Sequence, residues 1–176
     1  MKAEIVANII IDKMNKYNED RPVQEQTFIT INRVQRLLYI IEAAWINRKE
    51  NKDKTPLFDE EWETWPKGPV IPAVWDAFST TAVDTYKAKQ PVEKVSKQLT
   101  RLIDMVLEQT REIDTLDLEK LVKYNSAWDE YYDPDHLALR VSPCLDRLPT
   151  IPKSTIDPVV VDMTQIKYYQ EDKIEI

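Results

Sequence analysis

The sequence predicts a mainly α-helical fold, a compact domain of about six helices with at most a minor β element. Two observations carry this expectation. Apolar residues recur at i, i+3, i+4 and i+7 in several windows, the spacing that gathers them on one face of a helix. Only one stretch, Ile156 to Val161, reads as a strand, and Pro158 interrupts it. A third observation concerns the turns. Gly68 is the one glycine in 176 residues, where ordinary usage of ~7% would give about a dozen. Turns elsewhere therefore fall to Asn, Asp, Ser and Pro, and Gly68 marks the position that takes φ > 0.

The elements follow in order. Residues 3–17 place Ile5, Ile9, Ile10 and Met14 on one helical face, and 17–22 end that helix at a proline. Thr30 is a good N-cap. Behind it Ile31, Val34, Leu37, Leu38, Ile41, Ala44 and Trp45 mark the most clearly periodic helix, central to the core. Residues 48–56 have no apolar side chain before Pro56 and read as a solvated loop. Leu57 to Trp65 mixes acids with Phe58, Trp62 and Trp65, as a short helix or an irregular lead-in. From Trp65 to Pro72 three prolines hold the path stiff and non-helical. Pro72 then suits the first position of a helix, running to about Ala82 and burying Val74, Trp75 and Phe78.

Residues 91–113 form a long amphipathic helix through Val92, Val95, Leu99, Leu102, Ile103, Val106 and Leu107. Asp114 and Thr115 cap the next, whose apolar face is Leu118, Leu121 and Val122, with Asp117 and Glu119 complementing its dipole. Four prolines then make 129–152 a long loop, and Asp162 caps a last helix through Tyr169. Residues 1–29 read as an N-terminal helix and linker, and 30–176 as the helical domain with which they form one globular unit.

Composition narrows the function. The formal net charge is −7, which opposes the basic face that duplex binding needs and favours a basic protein partner. No apolar run approaches the ~20 residues of a membrane span, and the N-terminus lacks the h-region of a signal peptide. The single cysteine, Cys144, excludes an internal disulfide and fits a reducing cytoplasm. With one glycine there is no phosphate-cradling loop. His136 is the only histidine and reads as a loop residue. A Cys144–His136 pairing as nucleophile and base carries little weight, and the acids of 59–63 read as a solvated face. The expectation is a protein without catalytic residues, cofactor or metal.

Five tryptophans are the positive signal. Trp45 and Trp75 sit at helix-periodic positions and read as core, whereas Trp62 and Trp65 lie among acids and prolines, where core and partner contact are equally open.

Leu37-Leu38-Tyr39 in the central helix, the acidic-aromatic run Glu61 to Trp65, Gly68-Pro69-Val70-Ile71-Pro72 and Val74-Trp75 together resemble the Panacea antitoxin domain, also described as SocA-like and phage-associated. Leu118 to Trp128 resembles that family's later helix, which ends in a tryptophan, and Met163 to Tyr169 resembles its terminal helix, so that the likeness spans about 30–170. Two departures stand out. Lys67 precedes the glycine where the family more often has an aromatic, and no Thr-His pair precedes Trp128. The resemblance implies a cytoplasmic protein, often prophage-borne, that binds and neutralises a toxin encoded beside it. It also implies an alternative, an adaptor that delivers the partner to a protease; in that reading the tail 168–176 or the loop 129–152 touches the protease. The partner surface it suggests is Trp62, Trp65, Lys67, Gly68, Pro69, Val70, Pro72 and Trp75. The competing reading is a nucleic-acid-binding regulator using Arg33, Arg36, Arg48 and Lys49.

Overall fold

Thr30 starts the central helix as its sequence suggests: its hydroxyl accepts the Arg33 N–H at 3.1 Å. The helix, α2 (Ile31–Ile46), ends at Asn47, whose N–H returns to Ala43. Along α2 only Asn32, Ala44 and Trp45 keep appreciable exposure. It is covered by α1 (Ala3–Glu19), α3 (Pro72–Phe78), α4 (Lys97–Thr110) and α5 (Thr115–Lys123). The computed structural model describes residues 1–78, 94–124, 126–135 and 148–156. Among them are six helices, the last being α6 (Ala127–Tyr131), and one small antiparallel sheet of β1 (Trp62–Trp65), β2 (Gly68–Val70) and β3 (Thr150–Ile151) in the order β2-β1-β3.

One apolar core joins these elements. Val6, Ile10 and Ile11 of α1, Leu37, Leu38 and Ile41 of α2, Val74 and Phe78 of α3, Ile103 and Val106 of α4 and Leu118 and Val122 of α5 are all buried within it. The first helix is thus part of the same core as α2. Its N-terminus has no side-chain cap of its own. Glu60 supplies the anion instead, accepting the Ala3 N–H at 3.0 and 3.2 Å, which favours the positive end of the helix dipole.

Four polar side chains of α2, Arg33, Gln35, Arg36 and Glu42, are buried too, and each reaches backbone belonging to a non-helical segment or a helix end. Arg33 donates to the carbonyls of Thr110 and Ile113, both at 2.7 Å, and so closes the C-terminus of α4. Gln35 grips both polar groups of Ile71, accepting its N–H at 2.9 Å and donating to its carbonyl at 3.1 Å. Glu42 accepts the N–H groups of Leu57 and Phe58 at 3.2 and 3.1 Å. These segments have few ladder partners, so the side chains of α2 satisfy groups that would otherwise be buried unpaired.

Several sequence expectations need correction. Leu57 to Trp65 is no helix. Leu57 and Phe58 are pinned by Glu42, and Trp62 to Trp65, aromatic and Thr-containing as strands often are, pair on both sides within the sheet. Helix α4 begins at Lys97 rather than near 91, because Ser96 caps it by accepting the Leu99 N–H at 3.2 Å. The minor strand is Thr150–Ile151. Ile156 is buried and extended but lies in no strand. Residues 157–161, the expected last helix at 162–169 and the far end of the helix after Pro72 lie outside the described residues. The Leu118–Trp128 block is two helices, α5 and α6, with Ser126 capping the second. The 48–56 loop is largely solvated as expected, and Asn51 organises it through bonds to Trp45 and Thr55.

Glu42 sets a pH dependence. Burial pushes its carboxyl up to about 7, against the opposing pull of the Phe58 and Leu57 N–H groups and the Lys153 charge. The folded state therefore holds this proton more tightly than the unfolded chain, whose carboxyl keeps the ordinary value of 4.5. The contribution to stability is complete below about pH 4.5 and is lost as pH rises through about 7. Across that window wild type should lose roughly 3 kcal/mol relative to Glu42→Gln, at 1.36 kcal/mol per pKa unit. Urea unfolding of both proteins at a series of pH values measures this. Parallel stability curves would remove Glu42 as the cause.

Candidate functional site

The segment from Trp62 to Trp75 builds a hairpin that runs into α3. Pro66 fixes a negative φ, so the two-residue connection Pro66-Lys67 cannot take the left-handed torsions of the usual tight hairpin. That torsion falls on Gly68, at φ +117°. Strand register follows: Trp65 faces Gly68, Thr64 faces Pro69 and Glu63 faces Val70. Pro69 has no N–H to give, and its place opposite Thr64 calls for none, because Thr64 turns its backbone N–H to the β3 side, donating to Pro149 at 2.9 Å, so that the two residues form a non-hydrogen-bonded pair. Pro69 thus occupies an outer strand where its missing donor does no harm.

The turn is held from three directions. The carbonyl of Trp65 accepts the Trp128 indole N–H at 2.9 Å, that of Pro66 accepts the Lys123 ammonium at 3.0 Å, and that of Lys67 accepts the Arg36 guanidinium at 3.1 Å. Three consecutive carbonyls thus have donors from α6, α5 and α2. Glu119 lies between two of these donors, at 2.7 Å from Arg36 and 3.4 Å from Lys123. Arg36 is 2% exposed. Burial lowers its pKa and the Glu119 carboxylate opposes that shift. The Lys123 ammonium also lies 4.5 Å from the centre of the Trp128 ring, which stacks on Tyr132 at 4.3 Å.

The eight suggested contact residues divide into two groups. Trp62 is fully buried, edge-on to Tyr39 at 5.1 Å. Gly68, Pro69 and Val70 are buried as well. Side chains so placed support a surface rather than form one. Lys67 is exposed, and Trp65, Pro72 and Trp75 are half-buried. Trp65 and Trp75 lie together, ring centres 5.1 Å apart, and the Trp65 indole donates to Glu63 at 2.8 Å. The outward face is therefore a tryptophan pair beside an exposed lysine on a fixed turn.

Sequence reasoning missed the clamp. Arg36, Lys123 and Trp128 stand 31, 57 and 63 residues from the carbonyls they hold, and no local pattern encodes such a pairing. Arg33 and Arg36, offered as a basic face for nucleic acid, are 3% and 2% exposed and bonded to backbone. Burial is the physical reason they cannot serve that role. Arg48 lies over the Trp45 ring at 3.4 Å. His136, Cys144 and the tail 168–176 lie outside the described residues, as does half of the 129–152 loop, residues 136–147. Among the described residues no group of three His, Cys, Asp or Glu side chains gathers as metal ligands, and no helix is long and apolar enough to cross a membrane.

Fold and site together define a mainly helical domain with a small sheet that presents a stiff aromatic hairpin. The particular family follows from comparison with known families: the antitoxin SocA-like, Panacea domain matches residues 34–129, more than half of the chain, and the chain belongs to that family. The match takes in the central helix, the hairpin and the α5–α6 region that clamps it. Searches of curated proteins and of solved structures found no match.

Gly68 tests the geometry of the turn. A Cβ there would meet a Val122 methyl at 3.4 Å, on a backbone at φ +117°. Gly68→Ala should cost about 1–3 kcal/mol through strain, read by denaturant unfolding. A loss within experimental error would show that the turn relaxes.

Proposed function

We propose that this chain neutralises a partner toxin by direct contact, through the face made by Trp65, Lys67, Pro72 and Trp75. The observation that carries the reading is the clamped turn. Three tied carbonyls and two fixed prolines leave the hairpin little freedom to lose, which lowers the ordering cost of association. Half-buried tryptophans beside a basic residue are the kind of side chains that dominate binding energy when covered. Membership of an antitoxin family supports a protein toxin as the partner. In this reading the chain catalyses nothing, and it acts in the cytoplasm on the product of a neighbouring gene, on a prophage or other mobile element.

Co-expression with the neighbouring gene product tests the proposal. The neighbour should be toxic alone, harmless together with this chain, and recovered with it as a stoichiometric complex. Within that complex, Trp75→Ala combined with Lys67→Glu should weaken binding by about 30-fold or more, equivalent to a hot-spot loss of about 2 kcal/mol. The helical circular dichroism should be retained. Unaltered affinity in the double variant would place the contact elsewhere.

A further inference from the structure

A cavity of about 490 Å³ opens between the C-terminal half of α1, α2 and α4, away from the hairpin. Its size suits a small-molecule ligand. Its charge runs against the rest of the protein. Lys13, Lys16, Arg33 and Arg111 line it against Asp104 and Glu108, in a chain whose net charge is −7. Part of this charge is already answered, since Lys13 pairs with Asp104 at 2.6 Å and Lys16 with Asp12 at 2.7 Å.

Of the lining residues left without an ion pair, two are basic, Arg33 and Arg111, and one is acidic, Glu108; Arg21 lies just outside the lining. Arg111 and Arg21 both stack on the Tyr17 ring, at 4.2 and 3.9 Å from its centre, and neither has a carboxylate partner among the described residues. Two like charges thus share one ring without a counter-ion. The Tyr17 hydroxyl and the Arg33 Nε are buried and have no hydrogen-bond partner among the described residues. Unpaired buried donors of this kind cost stability unless something satisfies them. Met14, Leu37 and Leu107 supply an apolar wall beside them.

From the cationic lining, the two orphaned donors and the apolar wall, we infer that this cavity binds a small organic anion. A carboxylate or phosphate ester meets Arg111 and Tyr17, and its apolar or planar body lies along Met14 and Leu107. The site is separate from the toxin-contact face.

Thermal unfolding of the full chain with octanoate, AMP or inorganic phosphate tests this. Octanoate or AMP at ten times its Kd should raise Tm by about 3–6 °C, and which of them does so identifies the head group. The shift should vanish in Arg111→Ala and shrink in Tyr17→Phe, but persist in Lys49→Ala, whose lysine lies in the exposed loop after α2. Should Arg111→Ala itself unfold, Tyr17→Phe decides. No shift with either organic anion, an equal shift with inorganic phosphate, or a shift undiminished in the Tyr17 variant would overturn the inference.

Discussion

Everything in this structure depends on how α2 is buried. A helix covered on all sides is ordinarily apolar on all sides. This one carries Arg33, Gln35, Arg36 and Glu42 into the interior, where leaving them unpaired would be costly. Each bonds to backbone, at the end of α4, the entry to α3, the tip of the hairpin and the segment before β1, and Arg36 also to the Glu119 carboxylate. The apolar side chains between them supply the nonspecific drive to collapse, and the polar ones determine where the irregular segments settle. A chain with one glycine has few positions that accept unusual backbone torsions, and here side-chain hydrogen bonds fix its connections.

What could be read in the sequence follows from range. Periodicity and caps are local, so α1, α2 and α5 were legible along with the Thr30 and Asp114 caps that start two of them. Local too was the expectation that Gly68 takes a positive φ, which it does at +117°, although Lys54 in the loop after α2 takes one as well, at +54°. The Ser96 cap was equally local but was outweighed by Val92 and Val95, apolar residues that extended the periodic pattern past the true start. The sheet was not legible, because its strands are short and β1 pairs with a two-residue partner some 85 residues away. Trp62 and Trp65 could not be told apart from composition. They sit three residues apart on one strand, and pleating sends them to opposite faces, so one enters the core and the other stays half-exposed.

Under the proposed function, this division separates shape from contact. The buried members of the motif, Trp62, Gly68, Pro69 and Val70, determine shape, while the outer ones are available to a partner. On that proposal, substitutions in the first group would act through stability and in the second through affinity. The two can be separated because the clamp residues Arg36, Lys123 and Trp128 hold backbone carbonyls rather than the outer side chains.

The span of the clamp has a consequence for biosynthesis. The hairpin lies near residue 68, yet its donors are at 123 and 128 and its third strand is at 150–151. Chains emerge from the ribosome N-terminus first, at about 5–20 residues per second. For several seconds after the hairpin has been synthesised it lacks both its anchors and its neighbouring strand. The aromatic face is therefore completed only after residue 151 has been synthesised, and a product stalled before that point would carry the tryptophans without the surface.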